Sequence, residues 1–206
     1  MTLPNCAANK GRKCCQDAPS QPALVVVFFG ANDASFPMPS GKGQHVPMEE
    51  FKQNLRSIAF YLLGLSKLTR VILVTAPPIH EEGRKELARC RYGERAARFL
   101  DRTNERAKQY AQACIEVSKE ANVGGVDLWS AIQREKNWET KCLSDGMHLA
   151  AEGNRVLFTE LIKVIEEAEW SPSLSSNTMD EDYNEPSVYD NIHPSFEYSD
   201  DSYLML

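Results

Sequence analysis

Short uninterrupted apolar runs alternate along this chain with longer stretches whose apolar residues recur at helical spacing. Leu24-Val25-Val26-Val27-Phe28-Phe29 is β-branched and aromatic without polar alternation, the pattern of a strand buried on both faces of a parallel sheet. Val71-Ile72-Leu73-Val74 is a second such run, closed by Pro77-Pro78, and proline cannot continue a strand's hydrogen-bond ladder. Gly124-Gly125-Val126-Asp127-Leu128 predicts a short third strand. Over residues 48–68, Phe51, Leu55, Ile58, Leu62 and Leu65 form a helical stripe behind the acidic first turn Glu49-Glu50. A long helix is predicted to start at Glu94 or Asp101 and run to Glu120, with Ala107, Tyr110, Cys114 and Val117 on one side. The last helix is predicted over residues 151–169, striped by Val156, Leu157, Leu161, Val164 and Ile165. Residues 34–47, rich in Pro and Gly, and the charged stretch 79–92 read as loops, and residues 130–135 as a helical turn or two. Strand–helix alternation in this order implies βαβ units with right-handed crossovers and a parallel sheet covered on both faces.

Charge divides the chain. The formal net charge of -6 is uneven: from residue 171 onward there are eight acids and no Lys or Arg, which leaves the first 170 residues at +2. The expected organisation is an irregular segment over 1–22, one α/β domain over 23–170 and a disordered acidic tail over 171–206 that carries Tyr183, Tyr189, Tyr198 and Tyr203. No basic stripe with interleaved aromatics marks a nucleic-acid partner. The longest apolar run, about nine residues, is short of the ~20 a membrane helix needs. The N-terminus Met1-Thr2-Leu3-Pro4-Asn5-Cys6 holds no apolar signal core. Cys6, Cys14, Cys15, Cys90, Cys114 and Cys142 fit no zinc spacing. They read as free thiols of a reducing compartment, hence a cytoplasmic protein.

Two short segments carry the candidate chemistry. In Asp145-Gly146-Met147-His148 a carboxylate three residues before an imidazole can fix its tautomer and stabilise its protonated form, leaving His148 as a general base. The same residues also read as an ordinary loop, or as part of a metal site with His45 or His80, for which no cluster speaks. Gly30-Ala31-Asn32-Asp33 follows the first predicted strand, at the carboxyl edge where open parallel sheets bind ligands. Gly30 permits a tight exit from the strand, and the Asn32 amide can donate to a developing oxyanion. The alternative is a plain Asn-Asp turn.

Taken together, a strand ending in Gly-x-Asn-Asp, two βα units and an Asp-x-x-His that opens the final helix resemble the SGNH/GDSL hydrolase family. More narrowly, they resemble the isoamyl acetate-hydrolysing esterases and their plant members. The matching text includes Gln44-His45-Val46-Pro47, Glu81-Glu82-Gly83-Arg84, Arg102-Thr103-Asn104-Glu105, Leu128-Trp129-Ser130 and Glu152-Gly153-Asn154. The resemblance implies a three-layer α/β/α, flavodoxin-like fold and hydrolysis of small carboxylic esters through a serine acyl-enzyme, without metal or cofactor. Asn32 would be the oxyanion donor, His148 the base and Asp145 its orienting partner, with Gly30 and Asp33 shaping the oxyanion loop. Loop 34–47 and segment 79–92 would border the substrate cleft.

The chain departs from that pattern at its start. The family opens with a strand leading into Gly-Asp-Ser, whose serine is the nucleophile, and residues 1–22 contain neither. Ser20, between Pro19 and Pro22, and Ser35, just past the oxyanion loop, are poor substitutes. The expectation is a domain without its first two strands, no nucleophile in this chain, and weak or absent activity. The alternative is a non-catalytic interaction scaffold. The run 24–29 would then be an edge strand, prone to association or covered by a partner. Ala150 stands where relatives often place a hydroxyl that caps the final helix.

Overall fold

The computed structural model describes residues 21–38 and 43–174. Residues 1–20 of the expected irregular segment, with Cys6, Cys14, Cys15 and Ser20, and the expected acidic tail from residue 175 lie outside the described residues.

Three strands, β1 (Leu24–Phe28), β2 (Arg70–Val74) and β3 (Gly124–Val126), form a parallel sheet in the order β1-β2-β3. The register pairs Val26 with Ile72, Phe28 with Val74, and Ile72 with Gly124. Because side chains alternate across a strand, the two faces of β2 feed two cores. Val71 and Leu73 pack with Val27 of β1 under helix α1 (Met48–Leu63), through Phe51 and Leu55, and under helix α3 (Asn104–Glu120), through Tyr110, Cys114 and Val117. Ile72 and Val74 pack on the opposite face with Val126 of β3 and with Leu128 and Ile132 of helix α4 (Leu128–Gln133). Val156, Leu157, Leu161 and Val164 of helix α6 (Ala151–Glu167) complete that core. The result is the expected α/β/α sandwich.

Gly124 and Gly125 show why β3 is so short and glycine-bearing. A Cβ on Gly124 would come within 2.9 Å of Ile72 and 3.0 Å of Val164, and one on Gly125 within 2.5 Å of the Ser118 hydroxyl. Helices press on β3 from both sides, and side chains there would separate the layers.

Several expected boundaries change. The segment read as a charged loop forms helix α2 (Glu81–Tyr92), which buries no residue. Lacking an apolar stripe, it gives no helical signal in the sequence. Glu81 and Glu82 in its first turn, Arg89 and Arg91 in its last, and Glu82–Lys85 and Glu86–Arg89 pairs support it. Helix α3 begins only at Asn104, where Thr103 accepts a hydrogen bond from the Arg106 amide. A single 3-10 turn (Ala96–Arg98) precedes it. Helix α5 (Trp138–Lys141) was not expected. Helix α6 starts at Ala151, and Ala150 before it offers no side-chain cap, as its sequence implies.

Strand β1 is not buried on both faces. It pairs only with β2 among the described residues, and Val26 is 42 % and Phe28 39 % exposed. Both lie on the face shared with Ile72 and Val74, where the core under α6 takes in Leu24 of β1 but leaves Val26 and Phe28 open. No described helix is long and apolar enough to cross a membrane.

Candidate active site

The loop that carries Asp145 and His148 is closed like a small hairpin. Leu143 and Leu149 form an antiparallel bridge, and the Ser144 amide donates to the His148 carbonyl at 2.9 Å. Within it the Asp145 carboxylate is three-fold satisfied. Oδ1 accepts from the amides of Met147 (3.0 Å) and His148 (2.9 Å), and Oδ2 lies 2.7 Å from His148 Nδ1. Burial alone would push the Asp145 pKa up. The hydrogen bonds from the amide and ring of His148 and the amide of Met147 outweigh it and hold the carboxyl below its ordinary value. The side chain of Asp145 is 19 % exposed and that of His148 67 %, so the acid is sheltered and the imidazole faces outward.

This loop is clamped from behind by the start of α2. Gly146 has φ +83°, its carbonyl accepts from the His80 amide at 2.9 Å, and a Cβ there would sit 2.5 Å from the His80 carbonyl oxygen and 2.8 Å from the Arg84 nitrogen. Arg84 then reaches Asp145 Oδ2 from the far side at 3.5 Å. Behind Arg84, Asn104 joins three elements. Its carbonyl oxygen accepts from the Ile79 amide (3.0 Å) and the Trp129 indole (2.9 Å), and its amide donates to Gln133 at 3.0 Å.

Gly30 leaves β1 at φ +114°, against the ring of Phe51. Only glycine adopts that backbone readily, and it turns the chain so that Asn32 stands at the sheet's carboxyl edge. The Asn32 side-chain oxygen accepts from Arg102 at 2.9 Å. Burial pushes the Asp33 carboxyl above the usual carboxylate range, against hydrogen bonds from its own amide and that of Gly30 and the charge of His45. The Asp33 carbonyl accepts from the Val46 amide at 3.2 Å and contacts His45 Nδ1 at 3.0 Å, which ties the turn to the start of α1.

Asn32 and His148 face one cleft of about 260 Å³, whose walls also include Phe28, Phe29, Ala31 and Met147. Among the described residues, no serine, threonine or cysteine lines it. Ser35 is buried and its hydroxyl has no hydrogen-bond partner. Among the described residues, neither 34–38 and 43–47 nor segment 79–92 lines this cleft, where both segments were expected to border it. They contribute supports instead: Gln44 accepts from Arg102 at 2.7 Å, and Arg84 lies 3.5 Å from Asp145.

The family model described as GDSL-like lipase/acylhydrolase matches residues 8–161. The chain belongs to this family.

Among GDSL relatives it is 40 % identical over 180 residues to the GDSL esterase/lipase WDL1 of Oryza sativa subsp. japonica, covering 87 % of this chain and 67 % of that protein. It is 38 % identical over 149 residues to the isoamyl acetate-hydrolyzing esterase 1 homolog of Bos taurus, covering 70 % of this chain and 56 % of that one. The chain thus spans between 56 and 67 % of the length of these two relatives. Two solved structures share the fold. One is the lipase/acylhydrolase of Enterococcus faecalis (TM-score 0.52, 24 % identity, 70 % of this chain and 62 % of that one). The other is an acetylxylan esterase of Geobacillus stearothermophilus (TM-score 0.55, 19 % identity, 77 % and 66 %).

Sequence reasoning about this GDSL-family chain singled out Gly30, Asn32, Asp145 and His148, and the fold brings Asn32 and His148 to the same cleft. It missed Arg84, Arg102 and Asn104 as parts of the site. All three lie in segments that resemble the family, but their partners are distant in sequence: Arg102 is 70 residues from Asn32 and Arg84 is 61 from Asp145.

Proposed function

We propose that this site belongs to a carboxylic ester hydrolase acting on small, acetate-type esters through a serine acyl-enzyme. The observation that carries the reading is the 2.7 Å Asp145–His148 pair facing the same cleft as Asn32. With Nδ1–H donated to Asp145, His148 keeps Nε2 as the base. It would take the proton of a serine hydroxyl as that oxygen attacks the ester carbonyl, and then give the proton to the leaving alkoxide. A water activated in the same way would release the acid. Asn32 Nδ2 would donate to the carbonyl oxygen as it becomes anionic, an interaction whose removal costs ~3–4 kcal/mol in comparable sites. Phe28, Phe29 and Met147 supply apolar walls suited to a short acyl or alkyl group. The mechanism calls for no metal or cofactor.

The 206-residue chain by itself is expected to turn over slowly or not at all. A second reading, a non-catalytic scaffold, is favoured by one specific observation: among the described residues, none that lines the cleft carries a hydroxyl or thiol nucleophile. Intact-mass analysis of the purified chain after exposure to a fluorophosphonate separates the two. A single adduct that is lost in His148→Ala supports a working serine esterase and locates its nucleophile. No adduct on a chain that circular dichroism reports as folded supports the scaffold. An adduct that forms equally fast in His148→Ala overturns the base assignment.

A further inference from the structure

Arg102 is 4 % exposed, and its guanidinium donates to four acceptors. These are the Ala31 carbonyl (3.1 Å), Asn32 Oδ1 (2.9 Å), Gln44 Oε1 (2.7 Å) and the carboxylate of Asp101. A guanidinium only donates, whereas an asparagine amide has one accepting oxygen and one donating NH2. The contact therefore settles which way the Asn32 amide is turned: oxygen toward Arg102, NH2 away from it. The same guanidinium holds the carbonyl of Ala31, so one group restrains both the side chain of Asn32 and the backbone leading into it.

We propose that Arg102 is a positioning residue of this site, holding the Asn32 amide with its NH2 aimed into the cleft, and that Gln44 and Asp101 hold Arg102 in turn. The inference rests on the reading of Asn32 as oxyanion donor. Its physical basis is that a donor serves a developing charge only when it is oriented beforehand. An amide turned by half a revolution would present its oxygen and repel the oxyanion. Burial and the nearby charge of Arg84 both disfavour the guanidinium here, yet four acceptors compensate it, and no neutral side chain could satisfy all of them. The support also extends to the other half of the site. Asp101 lies 4.0 Å from Arg84, which lies 3.5 Å from Asp145. A continuous series of polar contacts thus joins Asn32, Arg102, Asp101, Arg84, Asp145 and His148.

The test is nuclear magnetic resonance on the full 15N-labelled chain, with the Asn32 side-chain amide assigned by its loss in Asn32→Asp. In the native chain this amide is expected to be as ordered as rigid backbone, with an order parameter of about 0.85. Arg102→Lys keeps the charge but lacks the planar fork, and is expected to drop the Asn32 value below about 0.6. Gln44→Leu, at an exposed position, removes one support without endangering the fold and is expected to give an intermediate value. An Asn32 amide that is mobile in the native chain, or that stays equally ordered in both folded variants, overturns the proposal. Hydrolysis of p-nitrophenyl acetate, followed in parallel, keeps this apart from the functional reading. Where the chain hydrolyses the ester, Arg102→Lys lowers kcat by about 10²-fold with little change in KM, the loss expected of an unaligned oxyanion donor. Where it does not, that failure belongs to the functional reading, and the order parameters still decide the role of Arg102.

Discussion

Asp145 holds His148 at two points, its backbone amide through Oδ1 at 2.9 Å and its ring Nδ1 through Oδ2 at 2.7 Å. One carboxylate thus sets both where the residue sits and which way the imidazole turns. A third bond to the Met147 amide at 3.0 Å leaves the acid little freedom.

On the proposed esterase reading, Asp145→Asn is expected to leave the fold intact and to remove whatever hydrolysis or serine labelling the native chain supports. An amide can present NH2 to Nδ1, which stabilises the wrong tautomer and leaves Nε2 protonated. In comparable triads the loss is ~10⁴-fold. The rate of p-nitrophenyl acetate hydrolysis or of fluorophosphonate labelling measures it, and Arg84→Met should fall between this variant and the native chain.

The pH dependence of stability has a defined sign at each end. The folded-state pKa of Asp145 is depressed, so its contribution is present above the ordinary carboxylate pKa and is lost as pH falls through the depressed value. Burial pushes the Cys114 thiol up to about 12. The folded protein therefore keeps a proton that the unfolded chain loses near ~8.5, and stability declines as pH rises from there toward about 12. Urea midpoints measured from neutral to alkaline pH should fall, and Cys114→Ala should flatten the slope.

Gly146→Ala is expected to destabilise the protein by about 1–3 kcal/mol through its positive φ alone. Displacement of the His80 and Arg84 backbone, which stand 2.5 and 2.8 Å from the new methyl, adds to that loss. Thermal unfolding reads the cost. Because the same loop carries Asp145 and His148, function should fall more steeply than the melting temperature.

Strand β1 presents apolar side chains and an edge without a partner among the described residues, a template for association. We expect Val26→Lys to reduce concentration-dependent association in light scattering while leaving the melting temperature nearly unchanged, since Val26 is already 42 % exposed. A large loss of stability would instead indicate that another segment or partner covers this face.

What was legible in the chain followed from local periodicity. The runs at Val71-Ile72-Leu73-Val74 and Phe51/Leu55 became β2 and the buried stripe of α1 because apolar spacing reports directly which face is covered. Helix α2 was illegible for the converse reason. It has no buried residue, so no stripe marks it, and the charges at its ends and its ion pairs support it instead. The start of α3 was misplaced because the 3-10 turn at Ala96–Arg98 extends the same charged composition up to the Thr103 cap.

The site divides along the same line. Asp145 and His148 are three residues apart, so the turn geometry of a few peptide units already lets carboxylate and ring meet, and the sequence alone determined that pair. The Gly30 turn that presents Asn32 was determined in the same way. Arg102 and Asn32, 70 residues apart, and Arg84 and Asp145, 61 apart, meet only because the fold brings the segments after β1, after β2 and before α6 together. Tertiary structure alone decided which guanidinium faces which acceptor, because a buried charge is tolerated only where the fold supplies its partners.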